Sequence, residues 1–151
     1  MTTDDAFRAY STTVRDGWLD YNGHLTDWAY AVVYAQANEA FLDWLGVSVG
    51  YRERTGCTTY TVESHIRYLA EVREGATLRA ESRLVEADTK RLRVLTTLRA
   101  ADGRTVATGE YLYLHVDQRA GRVVPFPPDR AEVIRRTLES HGSADQRPRR
   151  S

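Results

Sequence analysis

Asp20, Asn22 and His24 alternate within the run Asp20-Tyr21-Asn22-Gly23-His24-Leu25-Thr26, and Gly23 lets the backbone there approach a ligand closely. A carboxylate in such a loop can take a proton from water as a general base or attack a carbonyl carbon itself, and needs no metal for either. Helical periodicity begins directly after the run. Three polar groups therefore meet at a helix N-terminus, where unpaired N–H groups and a partial positive charge can polarise a carbonyl oxygen and stabilise an oxyanion. A second account stays open, in which Asp20 and Asn22 bind the local backbone, as such side chains do in turns, and His24 caps or packs.

The elements that must position this loop are legible on either side of it. Tyr30, Val33, Tyr34, Ala37, Phe41, Leu42 and Leu45 recur at steps of three and four, with Gln36, Glu39 and Asp43 between them, which predicts one amphipathic helix over 27–45. Thr26 or Asp27 is its N-cap, and Gly46 stands where a left-handed C-terminal residue is wanted. Upstream, Phe7 to Arg15 is rich in aromatic and β-branched residues and ends at Asp16-Gly17, so it reads as a first strand. Downstream, Thr58 to Tyr68, Thr77 to Glu86, Arg91 to Ala100 and Thr105 to Val116 read as strands separated by turn signals, of which Asp102-Gly103 favours a hairpin. Leu78, Ala80, Ser82 and Leu84, and again Leu92, Val94, Thr96 and Leu98, alternate, so one sheet face is apolar and needs the helix as its cover. A short helix from Asp129 to Leu138 follows Pro127-Pro128.

The totals limit what the site can be. At 151 residues the chain fits one domain, read as 1–139, with 140–151 expected to be a disordered, solvated tail. Twenty-one basic residues balance twenty-one acidic ones, leaving no overall field to recruit nucleic acid or an anionic membrane. No apolar run reaches the length of a membrane span. The single cysteine, Cys57, cannot form an intramolecular disulfide, and the N-terminus lacks a secretory signal, which together indicate a cytoplasmic setting. His24, His65, His115 and His141 have no metal-site spacing, so no metal is expected.

The run Asp20-x-Asn22-Gly23-His24, the long helix with Tyr30 early in it, and the helix-then-four-strand order resemble the hotdog-fold acyl-CoA thioesterases of the 4-hydroxybenzoyl-CoA type. Val62-Glu63-Ser64-His65-Ile66-Arg67-Tyr68-Leu69 with Glu71 and Gly75, Glu86 to Arg91, and Asp102 to Glu110 extend the resemblance over about Phe7 to Phe126. It implies an α+β hotdog fold, a five-stranded antiparallel sheet wrapped around one long helix with a short C-terminal helix, and hydrolysis of a small acyl-CoA thioester. CoA is then part of the substrate, and no separate cofactor is expected. It also implies a homodimer or dimer of dimers with sites at the subunit boundary, Asp20 as the catalytic carboxylate, and a backbone N–H near Asp27 or Trp28 at the thioester carbonyl. Asn22 or His24 would orient Asp20 or the water. The sequence departs from the commonest pattern at Thr26, where a hydroxyl replaces an Asn amide.

Tyr21-Asn22-Gly23-His24 with Val62-Glu63-Ser64-His65 looks nearest to the betainyl-CoA thioesterases of carnitine breakdown. A quaternary ammonium is held by aromatic faces, and Trp18, Tyr21, Trp28 and Tyr30 surround the loop, although aromatics serve cores and interfaces as well. Glu63 and His65 share one face of a strand and either line the cleft or form a structural pair. Lys90 and Arg91 either grip CoA phosphates or make a solvated turn. Gly23, Thr26, Asp27, Trp28, Tyr30, Glu63, His65, Lys90 and Arg91 are thus the substrate-binding candidates. Two rivals remain: a hotdog module that binds acyl-CoA without cleaving it, and a hotdog dehydratase or hydratase.

Overall fold

The computed structural model describes residues 5–142. Helix α1 spans Asp27–Leu45, with Thr26 as N-cap and Gly46 closing the last turn in the left-handed region (φ 84°), both at the positions the sequence indicates. Every member of the predicted stripe from Tyr30 to Leu45 is buried, whereas Gln36, Glu39 and Asp43 are exposed. Burying this stripe against a sheet stabilises the helix far more than its intrinsic propensity does.

The sheet is entirely antiparallel, with strands β1 (Ser11–Thr13), β2 (Cys57–Tyr68), β3 (Thr77–Ala87), β4 (Arg91–Ala100) and β5 (Thr105–Asp117) in the order β1-β3-β4-β5-β2. A two-residue strand, β6 (Arg122–Val123), adds to β5. The alternating residues of β3 and β4 face α1, as the pattern requires. At the centre of that face Ser82 and Thr96 hydroxyls lie 2.8 Å apart, and Thr96 donates to Asn38 Oδ1 of α1 at 2.7 Å. Since Thr96 has a single proton to give, Ser82 donates to Thr96, and one polar thread ties helix to sheet. Helix α3 (Pro128–Ser140) packs on β3. No helix among the described residues is long and apolar enough to cross a membrane.

Four features differ from the sequence reading. The first strand is shorter: Phe7 makes an isolated bridge to Ser82, β1 covers only Ser11–Thr13, and Asp16–Trp18 is a turn of 3₁₀ helix. An edge segment paired on one side has little to hold it regular. Helix α2 (Val49–Thr55) gives no periodic signal because its one buried residue is Tyr51. The Tyr51 hydroxyl lies 2.8 Å from His115 Nε2, and His115 Nδ1 lies 2.8 Å from the Val124 carbonyl. A carbonyl only accepts, so Nδ1 carries the proton and Nε2 accepts from Tyr51. On β2 the register shifts between Thr61 and Glu63, making Val62 the extra residue of a bulge rather than a member of the Ser64 and Ile66 face. Residues 140–142, expected to open the tail, belong to the fold instead. Ser140 closes α3, and His141 is buried with its Nδ1 accepting from Leu84 N–H at 2.8 Å, while 143–151 lie outside the described residues.

The N-cap gives a direct stability test. Thr26 Oγ1 accepts from Ala29 N–H at 3.3 Å, and that N–H is shared with the Thr26 carbonyl at 3.1 Å. A long, shared bond puts Thr26→Ala near the lower end of N-cap losses, about 0.5–1 kcal/mol, read as a drop in thermal midpoint. Thr26→Asn should melt with the unaltered protein, because Asn caps as well. A lower midpoint for Thr26→Asn would mean that Thr26 is held by more than its cap bond.

Candidate functional site

The Asp20 loop is closed by its own side chain. Asp20 Oδ1 accepts from Asn22 N–H at 2.8 Å and His24 N–H at 3.2 Å, while its backbone N–H donates to the His24 carbonyl at 2.8 Å. Gly23 has φ 77° inside this loop, where a side chain would be strained. The turn-forming account of Asp20 is therefore correct as far as Oδ1 goes. Oδ2 takes no part in those two bonds, so a partly buried carboxylate oxygen stays available for chemistry.

Backbone pairing fixes this loop between two neighbours. Thr26 N–H donates to Trp18 O at 2.9 Å, Leu25 N–H to Val72 O at 2.8 Å, and His24 bridges Arg73. A cavity of about 450 Å³ opens beside the start of α1, with His24, Asp27, Tyr30, Tyr68 and Glu71 among its lining residues. His24 Nε2 lies 3.3 Å from Glu71 Oε2. Tyr30 and Tyr68 rings meet nearly edge to face at 4.8 Å, and the Tyr30 hydroxyl donates to Ala70 O at 3.4 Å. Burial, reinforced by neighbouring Tyr68, pushes the Tyr30 phenol above its ordinary pKa, so it stays neutral and serves no general-base role near neutral pH.

Of the two backbone donors suggested by the sequence, one is already engaged. Trp28 N–H donates to the Asp27 carboxylate at 2.9 Å. Asp27 N–H makes no hydrogen bond among the described residues and is the open donor at this helix end. A carbonyl oxygen seated there would meet one free N–H and the positive end of α1, with Asp20 one short loop away.

The other candidates are dispersed. Trp18 is 7% exposed, a core residue whose ring already carries the Arg15 guanidinium at 5.1 Å. Tyr21 is 98% exposed and Trp28 53% exposed, so neither closes a cage within one chain. Asn22 is likewise exposed. Gly109 and Tyr111 of β5 face Tyr34 of α1 and pair with Ile66 and Ser64, which puts Glu63 and His65 on the opposite, outer face of the sheet. They do not line the cavity of their own chain. His65 stands across from Glu110, which Arg93 holds at 3.3 Å. Arg91 is paired with Asp88 at 2.9 Å, and the two N–H groups of Lys90 and Arg91 also bind Asp88. Arg91 pairs with Leu114 and Tyr68 with Ala107, so these basic residues and the cavity lie roughly 23 Å apart along β5 at about 3.3 Å per residue. Among the described residues no three His, Cys, Asp or Glu side chains come together as a metal site.

Tyr68 and Glu71 are the site residues that the sequence reading did not single out for binding. The signal for Tyr68 was present: it continues the Ser64 and Ile66 alternation onto the helix face, where Tyr30 must also lie. Glu71 follows the end of β2 and has no periodic signal.

Known proteins share this architecture. A protein from Agrobacterium fabrum named L-carnitine dehydrogenase/betainyl-CoA thioesterase is 43% identical over 148 residues, covering 98% of this chain and 30% of its own length. A second such relative, from Rhizobium meliloti, is matched over 28% of its length, so the chain spans under a third of these two-activity proteins. The Pseudomonas aeruginosa betainyl-CoA thioesterase is 33% identical over 133 residues, covering 87% of this chain and 84% of that protein. Among solved structures, a Staphylococcus aureus protein in complex with CoA superposes with a TM-score of 0.87 at 25% identity, covering 95% of this chain and 90% of its own. The family model described as the thioesterase-like superfamily matches residues 14–134, and the chain belongs to that superfamily.

Proposed function

We propose that this chain hydrolyses an acyl-CoA thioester to a free acid and CoA, and that betainyl-CoA is its substrate. The observation that carries the reading is the Asp20 carboxylate, anchored through Oδ1 with Oδ2 left over, one hydrogen bond from His24 at the wall of a cavity beside the α1 N-terminus. Relatives named as betainyl-CoA thioesterases and a CoA-bound neighbour support the substrate. In the reaction, the carbonyl oxygen sits at Asp27 N–H and Asp20 takes a proton from water as the water oxygen bonds to the carbonyl carbon. The C–S bond then breaks, and the CoA thiolate takes the proton that Asp20 removed from water, which restores the carboxylate. Direct attack by Asp20 and hydrolysis of the resulting anhydride gives the same products. Neither route draws on a resident cofactor.

A homodimer, alone or doubled into a tetramer, completes the site in this reading. Strand β2 ends the sheet with one edge unpaired, and Tyr60, Val62, Tyr68 and Leu69 on and just beyond it are exposed. Such an edge invites pairing. A two-fold axis beside β2 sets the strands of the two sheets antiparallel, bringing the partner's Lys90 and the partner's Arg91 to the cavity end, within reach of CoA phosphates. The lone cysteine supports a cytoplasmic setting.

The test is thiol release from a panel of acyl-CoA esters that includes betainyl-CoA, with an intact native mass on the same preparation. Release is expected, fastest with betainyl-CoA, from an assembly with an even number of 17.2 kDa chains. Binding of the esters without thiol release would leave a binding module. A change in acyl unsaturation without thiol would indicate a hydratase or dehydratase, and a single-chain mass would remove the shared-edge assembly.

A further inference from the structure

We infer that the acyl group's cationic head is recognised by the cavity at the α1 N-terminus itself, against the rings of Tyr30 and Tyr68 with Glu71 as counter-charge. This rests on the betainyl-CoA reading above. In a betainyl ester the quaternary nitrogen is two bonds from the carbonyl carbon, roughly 2.5 Å away with ordinary N–C and C–C lengths of about 1.5 Å. A carbonyl held at the end of α1 therefore fixes the ammonium in the same cavity, and no remote pocket can serve it.

The lining suits that cation. Tyr30 and Tyr68 meet nearly edge to face at 4.8 Å with planes 69° apart, and both line the cavity. Tyr30 is held by burial and its bond to Ala70 O, whereas Tyr68 is 52% exposed at the mouth. Quaternary ammonium groups have no donor to offer and bind ring faces within about 6 Å of the centroid. Glu71 and Asp27 add carboxylates, and no lysine or arginine lines the cavity. Glu71 lies 3.3 Å from His24 and 3.8 Å from Arg73. The aromatics expected from sequence, Trp18, Tyr21 and Trp28, are committed to the core or face solvent, so the cage in the structure is built from a helix residue and a strand-end residue instead.

Charge can be separated from shape with 3,3-dimethylbutyryl-CoA, in which carbon replaces the quaternary nitrogen. The quantity read is kcat/KM for betainyl-CoA divided by that for the neutral isostere, each first divided by its uncatalysed hydrolysis rate. The unaltered protein should favour the cation. Tyr68→Leu should lower the ratio about tenfold, the scale of a partly desolvated cation–π contact, and Tyr68→Phe, which keeps the ring, should retain it. Glu71→Gln should lower it about threefold, less so in high salt because the carboxylate is open to solvent. Both residues are exposed, and unchanged thermal midpoints would show that the variants fold. A cation preference that survives Tyr68→Leu and Glu71→Gln overturns this subsite and leaves the hydrolysis reading intact. Equal turnover of the two esters by the unaltered protein overturns the subsite and the betainyl-CoA assignment together. No turnover of either ester overturns the hydrolysis and the subsite with it.

Discussion

Asp20→Asn is expected to lower kcat for thioester hydrolysis by about 10²- to 10⁴-fold, the range of a positioned general base, with KM little changed. The substitution is unusually clean at this position because the two carboxylate oxygens have separate duties. Oδ1 accepts from Asn22 and His24 N–H groups and holds the loop; an amide oxygen can accept both bonds as well, though each is weaker than to a carboxylate. The amide NH₂ then occupies the place of Oδ2, where it can neither take a proton from water nor attack a carbonyl. The loop should survive while the chemistry is lost, so the thermal midpoint of Asp20→Asn should stay close to that of the unaltered protein. Asp20→Ala removes both duties, and its KM should rise as the loop loosens beside His24. Undiminished turnover in Asp20→Asn would show that the residue is only a turn former and would move the catalytic carboxylate elsewhere.

The two ends of α1 were legible because independent signals agree there: an apolar stripe of helical period, a capping hydroxyl, and a glycine past the last turn. Strands β3 and β4 were legible because each has one face on α1, which imposes alternation, and β2 and β5 because β-branched and aromatic residues run between turn signals. Legibility fails where that constraint lapses. Val62 breaks the alternation of β2 because a bulge inserts a residue without changing local composition. Helix α2 escapes because a single anchor, Tyr51, has no period. The site follows the same logic. The Asp20 loop was visible from residue types alone, as was the turn-forming side of Asp20. The cavity wall was not, since Tyr68 and Glu71 reach His24 only through the pairing of 24–25 with 72–73, a contact between segments almost fifty residues apart. Glu63 and His65 were correctly placed together on a strand face, but which face depends on where α1 packs.

Gly109→Ala should be destabilising by about 1–3 kcal/mol, the cost of overpacking a filled core, and so should lower the thermal midpoint by roughly 2–10 °C in a domain of this size. The expected sign is not obvious from the backbone. Gly109 lies in β5 between Ile66 and Thr96 and has no positive φ, so alanine fits its conformation and would by itself stabilise the fold by about 0.4–1 kcal/mol through the unfolded chain. The close approach of Tyr34 reverses that sign. A Cβ at Gly109 would fall 2.6 Å from Tyr34 Cε1 and 2.9 Å from two further ring atoms, well inside contact distance. The ring has nowhere to go: Tyr34 is fully buried, and Tyr111 lies 5.9 Å away centroid to centroid. Relief must come from α1 moving off the sheet, and Tyr34 is only one turn beyond Tyr30 at the cavity, so kcat/KM should fall along with stability. The double variant Tyr34→Leu/Gly109→Ala tests the mechanism, because removing the ring leaves room for the methyl group. Its loss should be smaller than the sum of the two single losses, by an amount comparable to the Gly109→Ala penalty itself. If the losses simply add, or if Gly109→Ala melts with the unaltered protein, the contact of helix and sheet at this point tolerates a methyl group and the glycine is not what lets α1 lie so close.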